Sequence, residues 1–180
     1  MLRPLAFACG LASLGIANAG AAELCHTRGG QYAKNRTCVS SVLPPQGRNT
    51  YGPDKLGGGE SGAWCEGVAG PGIGQSITLY QEPGNVIGSL SFTNGYTRTP
   101  ELFRANGRVQ QARLETSGGY SKTITLRDTS EPQTIKMSPS KVSWVRLTVL
   151  SVYPGARGSD TCVSEFYLNQ EDFIDDEETK

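Results

Sequence analysis

Two short clusters in the sequence combine side chains that could bind a ligand or a metal ion. The first begins Trp64-Cys65-Glu66 and continues into the glycine-rich segment 67–74, and the second is Asp160-Thr161-Cys162-Val163-Ser164-Glu165. Glycine adopts backbone conformations that other residues avoid, so segment 67–74 predicts a tight loop. A bond between Cys65 and Cys162 would bring both clusters together into one polar site.

The carboxylates of these clusters allow two interpretations. Glu66, Asp160 and Glu165 could converge on a structural calcium ion, because Ca²⁺ prefers oxygen ligands. They could instead form ion pairs with Arg104 or Arg108, which would brace the fold. We favour the ion pairs, and we expect neither a cofactor nor another metal centre.

Segment 92–108 is the region best equipped to hold a ligand, because it combines two Asn-Gly turns with aromatic and arginine side chains. Aromatic rings stack on sugars, while arginine and asparagine donate directional hydrogen bonds to hydroxyls or anions. The candidate glycan contacts are Trp64, Tyr96, Arg98, Arg104, Asn106 and Arg108. In the alternative interpretation the asparagines shape turns, Arg108 pairs with a buried acid, and Trp64 fills a corner of the fold.

Catalysis receives little support from the sequence. His26 is the single histidine of the chain, so a Ser–His or Cys–His pair has no good base. Glu66 and Glu165 could hydrolyse a glycoside if a cleft held them roughly 5–9 Å apart, but nothing in their spacing requires this. The glycines of segment 70–74 precede a strand rather than open a helix, which excludes a dinucleotide-binding fingerprint. We therefore predict a non-enzymatic protein.

The N-terminus predicts an export signal over residues 1–22. Met1-Leu2-Arg3 is a short positive region, residues 4–16 are mostly apolar, and Ala17-Asn18-Ala19 fits a cleavage site after residue 19, with an alternative after residue 22. No later apolar run is long enough to span a bilayer. We expect a secreted or periplasmic protein.

Four cysteines remain after removal of the signal, which allows three disulfide pairings. Their order along the chain favours two disulfides. Cys25–Cys38 would close a short, glycine-rich polar loop, and Cys65–Cys162 would close a loop that contains nearly the whole domain. Thiolate metal binding is disfavoured, since the sequence contains no Cys-x-x-Cys pair.

The charge distribution excludes a nucleic-acid footprint. Residues 23–170 hold 15 Lys/Arg and 11 Asp/Glu, which is a mildly basic body. The following residues to 180 are rich in acids, and we expect segment 170–180 to be a disordered tail.

The apolar pattern from residue 76 onward alternates with a period of two, as in Ile77 and Leu79 or Val145, Leu147 and Val149. Short strands near 80, 90, 110, 125, 136, 147 and 165 are separated by Gly, Pro, Asn and Asp clusters. Segment 40–62 is a Pro/Gly/Ser linker, and no segment keeps a helical period. These features predict an all-β protein with an antiparallel β-sandwich, a jelly roll.

Six motifs occur together in an informative order: Tyr51-Gly52-Pro53-Asp54-Lys55-Leu56, Ala63-Trp64-Cys65-Glu66-Gly67, Gly70-Pro71-Gly72-Ile73-Gly74-Gln75, Asn94-Gly95-Tyr96, Asn106-Gly107-Arg108-Val109 and Asp160-Thr161-Cys162-Val163-Ser164-Glu165. This order resembles the discoidin-like (F5/8 type C-like, galactose-binding-fold) domain that precedes the catalytic domain of secreted NAD-glycohydrolase toxins. In those toxins the domain serves glycan binding and translocation, and it also occurs alone in exported bacterial proteins.

The resemblance implies a galactose-binding-like jelly roll over residues 48–169, preceded by a disulfide-closed segment and linker at 23–47. It does not reach a NAD-cleaving domain, so that activity is not carried over. We predict a secreted, non-catalytic glycan-binding module that acts as a monomer on a glycan or glycoconjugate. The alternatives are an envelope or extracellular protein-interaction domain without a sugar site and, third, a carboxylate-dependent glycoside hydrolase.

Overall fold

Two antiparallel sheets make up the part of the chain that the computed structural model describes, which is residues 23–29, 34–57, 62–82 and 85–170. Their strands are β1 (Leu24–Gly29), β2 (Lys34–Val39), β3 (Trp64–Cys65), β4 (Ser76–Tyr80), β5 (Val86–Asn94), β6 (Arg108–Thr116), β7 (Ser121–Thr125), β8 (Gln133–Lys141), β9 (Trp144–Tyr153) and β10 (Cys162–Gln170). A short helix, α1 (Pro100–Ala105), and a 3-10 turn at Pro53–Lys55 complete these elements. The predicted signal sequence and the acidic segment after residue 170 lie outside the described residues.

The strands are ordered β1-β2-β4-β9-β6-β7 in one sheet and β3-β10-β5-β8 in the other. The predicted antiparallel sandwich is therefore confirmed, and each of the seven strand positions expected from the sequence is occupied by a strand. Burial alternates along the first part of the central strand β9. Val145, Leu147 and Val149 are fully buried, while the residues between them are only partly covered. One face of the strand thus packs into the core.

The core lies between the inner faces of the two sheets. Its large, fully buried side chains come from both sheets and include Ile77, Leu90, Phe92, Leu114, Leu147 and Phe166. Phe92 and Phe166 meet edge to face, with ring centroids 6.1 Å apart. Burying one such side chain contributes about 1.5–3 kcal/mol, so this layer is the main source of stability.

Asn94 joins the two sheets through hydrogen bonds rather than apolar contact. Its buried side-chain amide donates to the carbonyl of Val109 at 2.7 Å, and its carbonyl accepts from the Val109 amide at 2.8 Å. Asn94 ends β5 in one sheet, and Val109 lies in β6 of the other. Asn94, to which the alternative interpretation assigned the shaping of a turn, therefore fixes one sheet against the other.

The N-terminal hairpin differs from the separate segment that the sequence suggested at 23–47. β2 pairs with β4 through a register that sets Cys38 opposite Thr78, so the hairpin extends the larger sheet. The segment expected as a linker is ordered where it is described, and its backbone forms the bonds Leu43 N–H to Cys65 O and Cys65 N–H to Tyr51 O.

Helix α1 was not expected from the sequence, because a single six-residue segment is too short to display a helical period. A capping signal was nevertheless present. The Thr99 side chain accepts a hydrogen bond from the Leu102 amide, and Pro100 occupies the first turn, where its missing N–H is harmless. The 3-10 turn likewise begins at a proline, Pro53.

Both disulfides expected from the sequence are present, and each joins directly opposed residues of two paired strands. Cys25 faces Cys38 across β1 and β2, and Cys65 faces Cys162 across β3 and β10. The first pair is separated by 13 residues and the second by 97. The longer closure removes more conformational freedom from the unfolded chain.

We expect the variant Cys65→Ala/Cys162→Ala to lose more stability than Cys25→Ala/Cys38→Ala. Loop-closure entropy is roughly 3 kcal/mol for a loop near 15 residues and nearer 5 kcal/mol for one near 100. Urea unfolding of both double variants, side by side with the wild type, measures the two losses. An equal or larger loss in the Cys25/Cys38 variant would contradict this order.

Candidate functional site

A polar depression lies at the end of the sandwich where β5 ends and β10 begins. It encloses about 100 Å³, and we call it the loop-end pocket. Its lining residues are Arg48, Asn49, Thr50, Lys55, Gly62, Tyr96 and Arg98. Two of the predicted glycan contacts, Tyr96 and Arg98, are therefore brought together with a segment of the chain that had been assigned no ligand role.

A tight turn at residues 46–49 presents Arg48 and Asn49 to this pocket. Gln46 and Asn49 exchange two backbone hydrogen bonds of 3.1 Å. Gly47 between them has a φ of 62°, a left-handed conformation that favours glycine. Arg48 is consequently held at the tip of the turn, exposed to solvent.

The floor of the pocket is a small apolar cluster that is separate from the main core. It consists of Tyr51, Ala63, Cys65, Tyr96 and Cys162. The rings of Tyr51 and Tyr96 pack edge to face, with centroids 6.2 Å apart. The Cys65–Cys162 bond thus supports the tyrosine that the pocket uses.

Ser164 fixes the loop that carries Tyr96. Its buried hydroxyl donates to the Gly95 carbonyl at 2.8 Å and lies 3.0 Å from both the backbone nitrogen and the side-chain oxygen of Thr97. Gly95 has a φ of 74°, and a Cβ there would lie 2.8 Å from side-chain atoms of Phe103 and Arg108. The position therefore requires glycine.

Arg98 is a hydrogen-bond donor of the pocket that two contacts orient. Its side chain is exposed, and its guanidinium carbon lies 5.4 Å from the centroid of the Tyr96 ring. One guanidinium nitrogen donates to the Asn49 side-chain oxygen at 3.2 Å. Stacking on Tyr96 and this single bond orient the group and leave further N–H donors for a ligand.

Burial and charge both act on Tyr51 beneath the pocket. Burial raises the pKa of its phenol, the neighbouring Tyr96 and Asp160 raise it further, and Arg98 acts in the opposite direction. Tyr51 is consequently protonated under physiological conditions. Its hydroxyl donates to the Gln46 side chain at 3.3 Å, which ties the turn to the cluster below it.

Arg108, a predicted glycan contact, instead makes its hydrogen bonds within the protein. Its guanidinium binds both carboxylate oxygens of Asp128 at 2.9 Å and also donates to the carbonyls of Asn106 and Pro154. Four of its five donors are used within the protein. The expected partners Glu66, Asp160 and Glu165 are not those that it binds.

Asn106 and Arg104 also lie outside the pocket. The Asn106 side chain donates to the Leu102 carbonyl at 2.9 Å and closes the end of α1. Arg104 is exposed on that helix and pairs with Glu101 one turn earlier, at 3.0 Å. These three side chains, Arg104, Asn106 and Arg108, are thus not gathered around one ligand position.

Trp64 is fully buried in the main core, and its indole N–H donates to the Ser41 carbonyl at 2.8 Å. It offers no surface to a ligand, so the expectation of a glycan contact at this position is corrected. The alternative interpretation, in which Trp64 fills a corner of the sandwich, describes its position.

Glu66 and Glu165, two of the three acids proposed for calcium binding, are placed in different surroundings. Glu66 is fully buried and accepts hydrogen bonds from the amides of Val68 and Thr161, whereas Glu165 accepts one from the Ser91 hydroxyl. Within the described residues, the acids and cysteines close enough to share an ion are Glu23, Cys25 and Cys38. Both of those cysteines are disulfide-bonded, so this group does not form a thiolate site.

Burial raises the pKa of the Glu66 carboxyl, and the two backbone amides that it accepts from partly offset that shift. Gly72 lies directly against this carboxyl, since a Cβ there would be 2.4 Å from a side-chain carbon of Glu66. The glycine-rich loop is therefore shaped around Glu66, which holds its backbone in place.

The family model for the NAD glycohydrolase translocation F5/8 type C domain matches residues 29–169. The chain belongs to this family. The resemblance inferred from the six motifs is thereby confirmed. The match begins at residue 29, before the expected boundary at 48, and so includes β2, which pairs with β4 in the larger sheet.

Solved structures show the same fold at low sequence identity. The Clostridium perfringens domain CpGH89CBM32-5, solved with GalNAc-beta-1,3-galactose, has 20% identity and a TM-score of 0.56 over 74% of this chain and 94% of that one. The family 32 CBM of C. perfringens NanJ, solved with galactose, has 16% identity and a TM-score of 0.54 over 74% and 92%.

A larger protein contains a similar domain. The arabinofuranosyltransferase AftD from Mycobacteria has 20% identity and a TM-score of 0.59 over 83% of this chain, which spans only 11% of the AftD chain. Comparison with curated proteins finds no significant match. In the part of the chain that the structure describes, no helix is long and apolar enough to cross a membrane.

Several residues of this F5/8 type C domain that shape the pocket were missed by sequence reasoning: Arg48, Asn49, Lys55 and Ser164. A signal existed for two of them, because Lys55 and Ser164 fall inside motifs that carried the family resemblance. Arg48 and Asn49 carried no such signal. Their role depends on a turn that brings residues 48–50 within reach of Arg98.

The buried Glu66 gives a prediction on pH dependence. Since its folded pKa is raised, the folded state holds this proton more tightly than the unfolded state, and stability is lost as pH rises. Relative to Glu66→Gln, the wild type should be most stable below pH 4.3, which is about the ordinary pKa of glutamate. Its free energy of unfolding should fall relative to the variant as the pH rises through the pKa of Glu66 in the folded state. Urea unfolding of both proteins from about pH 3.5 to about pH 8 measures this difference. A constant difference, or a relative gain by the wild type with rising pH, would contradict it.

Proposed function

We propose that this F5/8 type C domain is a secreted, non-catalytic glycan-binding module whose ligand occupies the loop-end pocket. The observation that carries the proposal is the oriented, exposed guanidinium of Arg98 in a polar depression lined by Asn49 and Tyr96. The similarity to family 32 domains solved with galactose and GalNAc-beta-1,3-galactose supports it.

The pocket suits hydrogen bonding better than ring stacking. Tyr96 is only 4% exposed, and Arg98 and Tyr51 cover its ring, so it cannot serve as an open platform for a sugar. The Arg98 guanidinium and the Asn49 amide supply donors that recognise hydroxyl oxygens. We therefore place the ligand contacts at Arg98, Asn49 and the edge of Tyr96.

Export to an oxidising compartment belongs to the same proposal. Structural disulfides form and persist in the periplasm and outside the cell, and this domain has two. The export signal over residues 1–22 and the acidic tail from residue 170 remain part of the proposal. We take the domain as the family match, residues 29–169, together with the preceding hairpin strand β1, which pairs with β2.

A protein-interaction domain without a sugar site is the second candidate. It is favoured by the finding that Trp64 and Arg108 are structural, since a smaller set of residues remains for a ligand. The hydrolase alternative has less support, because neither Glu66 nor Glu165 lines the loop-end pocket.

A glycan array probed with the oxidised domain tests the proposal, using Arg98→Ala and the matched control Arg104→Ala. Both replace an exposed arginine, but Arg104 lies outside the pocket. Hydrogen bonds from a charged donor contribute about 1.5–3 kcal/mol, so Arg98→Ala should weaken binding roughly tenfold to a hundredfold. Arg104→Ala should bind as the wild type does.

Two outcomes of this experiment would overturn the proposal. Silence of the folded wild-type domain on the whole array would favour the protein-interaction candidate. Equal losses in the two arginine variants would remove the pocket from the ligand site.

Substitution of Arg108 should lower the stability of the domain, whereas substitution of Arg98 should weaken ligand binding. Arg108→Met leaves Asp128 and two backbone carbonyls without their donor, and we expect a loss of about 2–3 kcal/mol in the free energy of unfolding. Arg104→Met, a surface change, should stay within about 0.5 kcal/mol of the wild type. Urea unfolding measures both, and an Arg108→Met protein as stable as the control would return Arg108 to the list of ligand candidates.

A further inference from the structure

We propose that the loop-end pocket selects glycans with a negatively charged group, a uronate or sialate carboxylate or a sulfate, over their neutral counterparts. This inference rests on the proposed function, because it names the ligand class of the same site.

The charge of the pocket lining is the first argument. Arg48, Lys55 and Arg98 all line it, and no carboxylate is among its lining residues in the described chain. Lys55 forms a salt bridge with Asp54 at 3.1 Å, so its charge is partly balanced within the protein. In the described residues neither Arg48 nor Arg98 forms a salt bridge. A small depression with this lining attracts anions.

The geometry of Arg98 is the second argument. A guanidinium has five N–H donors in a planar fork that matches a carboxylate or sulfate in a bidentate manner. Asn49 takes one of these donors, and the Tyr96 ring supports one face of the group. Less conformational freedom is then lost when an anion binds, which favours affinity.

The shortage of apolar contact surface is the third argument. Neutral sugars gain much of their binding from an exposed aromatic face. Among the described residues, the exposed large aromatic side chain is Tyr167, and it lines a different cleft, beside Arg28 and Leu168. Affinity at the loop-end pocket must therefore come from hydrogen bonds and charge.

A second cationic surface provides an internal control. Lys122, Arg127 and Lys136 line a groove of about 420 Å³ between β7 and β8. Both strands are at the edges of their sheets, where lysines commonly guard against unwanted strand pairing. If simple surface charge attracted anionic glycans, this groove would do so as well as the pocket.

The test uses trigalacturonate and 3′-sialyllactose, each compared by calorimetry with its own methyl ester. Esterification removes the charge and keeps the sugar rings, so only the charge preference is measured. We expect the acids to bind at least about tenfold more tightly than the esters, with a preference that weakens as salt is raised. Arg98→Ala and Arg48→Ala should abolish the preference, whereas Lys122→Ala/Lys136→Ala should keep it. Arg98→Lys should retain only part of it, because the fork is lost.

The outcomes separate this inference from the proposed function. Esters that bind as tightly as the acids, or neutral array glycans that bind when both acids do not, would overturn the charge preference and leave glycan binding standing. Loss of the preference in Lys122→Ala/Lys136→Ala would show non-specific attraction and overturn it too. A domain that binds no glycan of any kind would overturn both.

Discussion

The pairing of β3 with β10 is the contact on which the candidate site depends. It is only two residues long, and Cys65 and Cys162 are opposed within it and bonded. Such a short pairing would be weak on its own, since each residue pair of a sheet contributes little. The disulfide makes it permanent, and both the pocket floor and the glycine-rich loop around Glu66 are built against it.

The fold could be predicted largely from local pattern. Ile77, Leu79 and the alternating residues of β9 carry the period of a half-buried strand in the sequence itself, so strand positions followed from them. The place of the N-terminal hairpin could not be read in this way. Its membership of the larger sheet depends on the register between β2 and β4, and the polar sequence of β2 shows no apolar alternation.

The site was predictable only in part, because side chains of the same type can be exposed at one position and paired within the protein at another. Arg98 and Arg108 stand ten positions apart in one polar segment, yet Arg98 faces solvent and Arg108 is held by Asp128. What separates them is a partner twenty residues away in the chain, and no local rule identifies it. Trp64 was equally ambiguous, since an aromatic residue beside glycines fits a ligand loop and a filled corner alike.

The direction of β10 has a consequence for how this domain can be presented to a ligand. The strand begins at Cys162 beneath the pocket and ends at Gln170, so its far end lies about 26 Å away at the usual rise of a strand. The pocket and Gln170 therefore lie at opposite ends of β10, and an attachment made at Gln170 would leave the pocket unobstructed. Attachment through the 46–49 turn would block the pocket instead. The choice of attachment point therefore decides whether the pocket stays accessible.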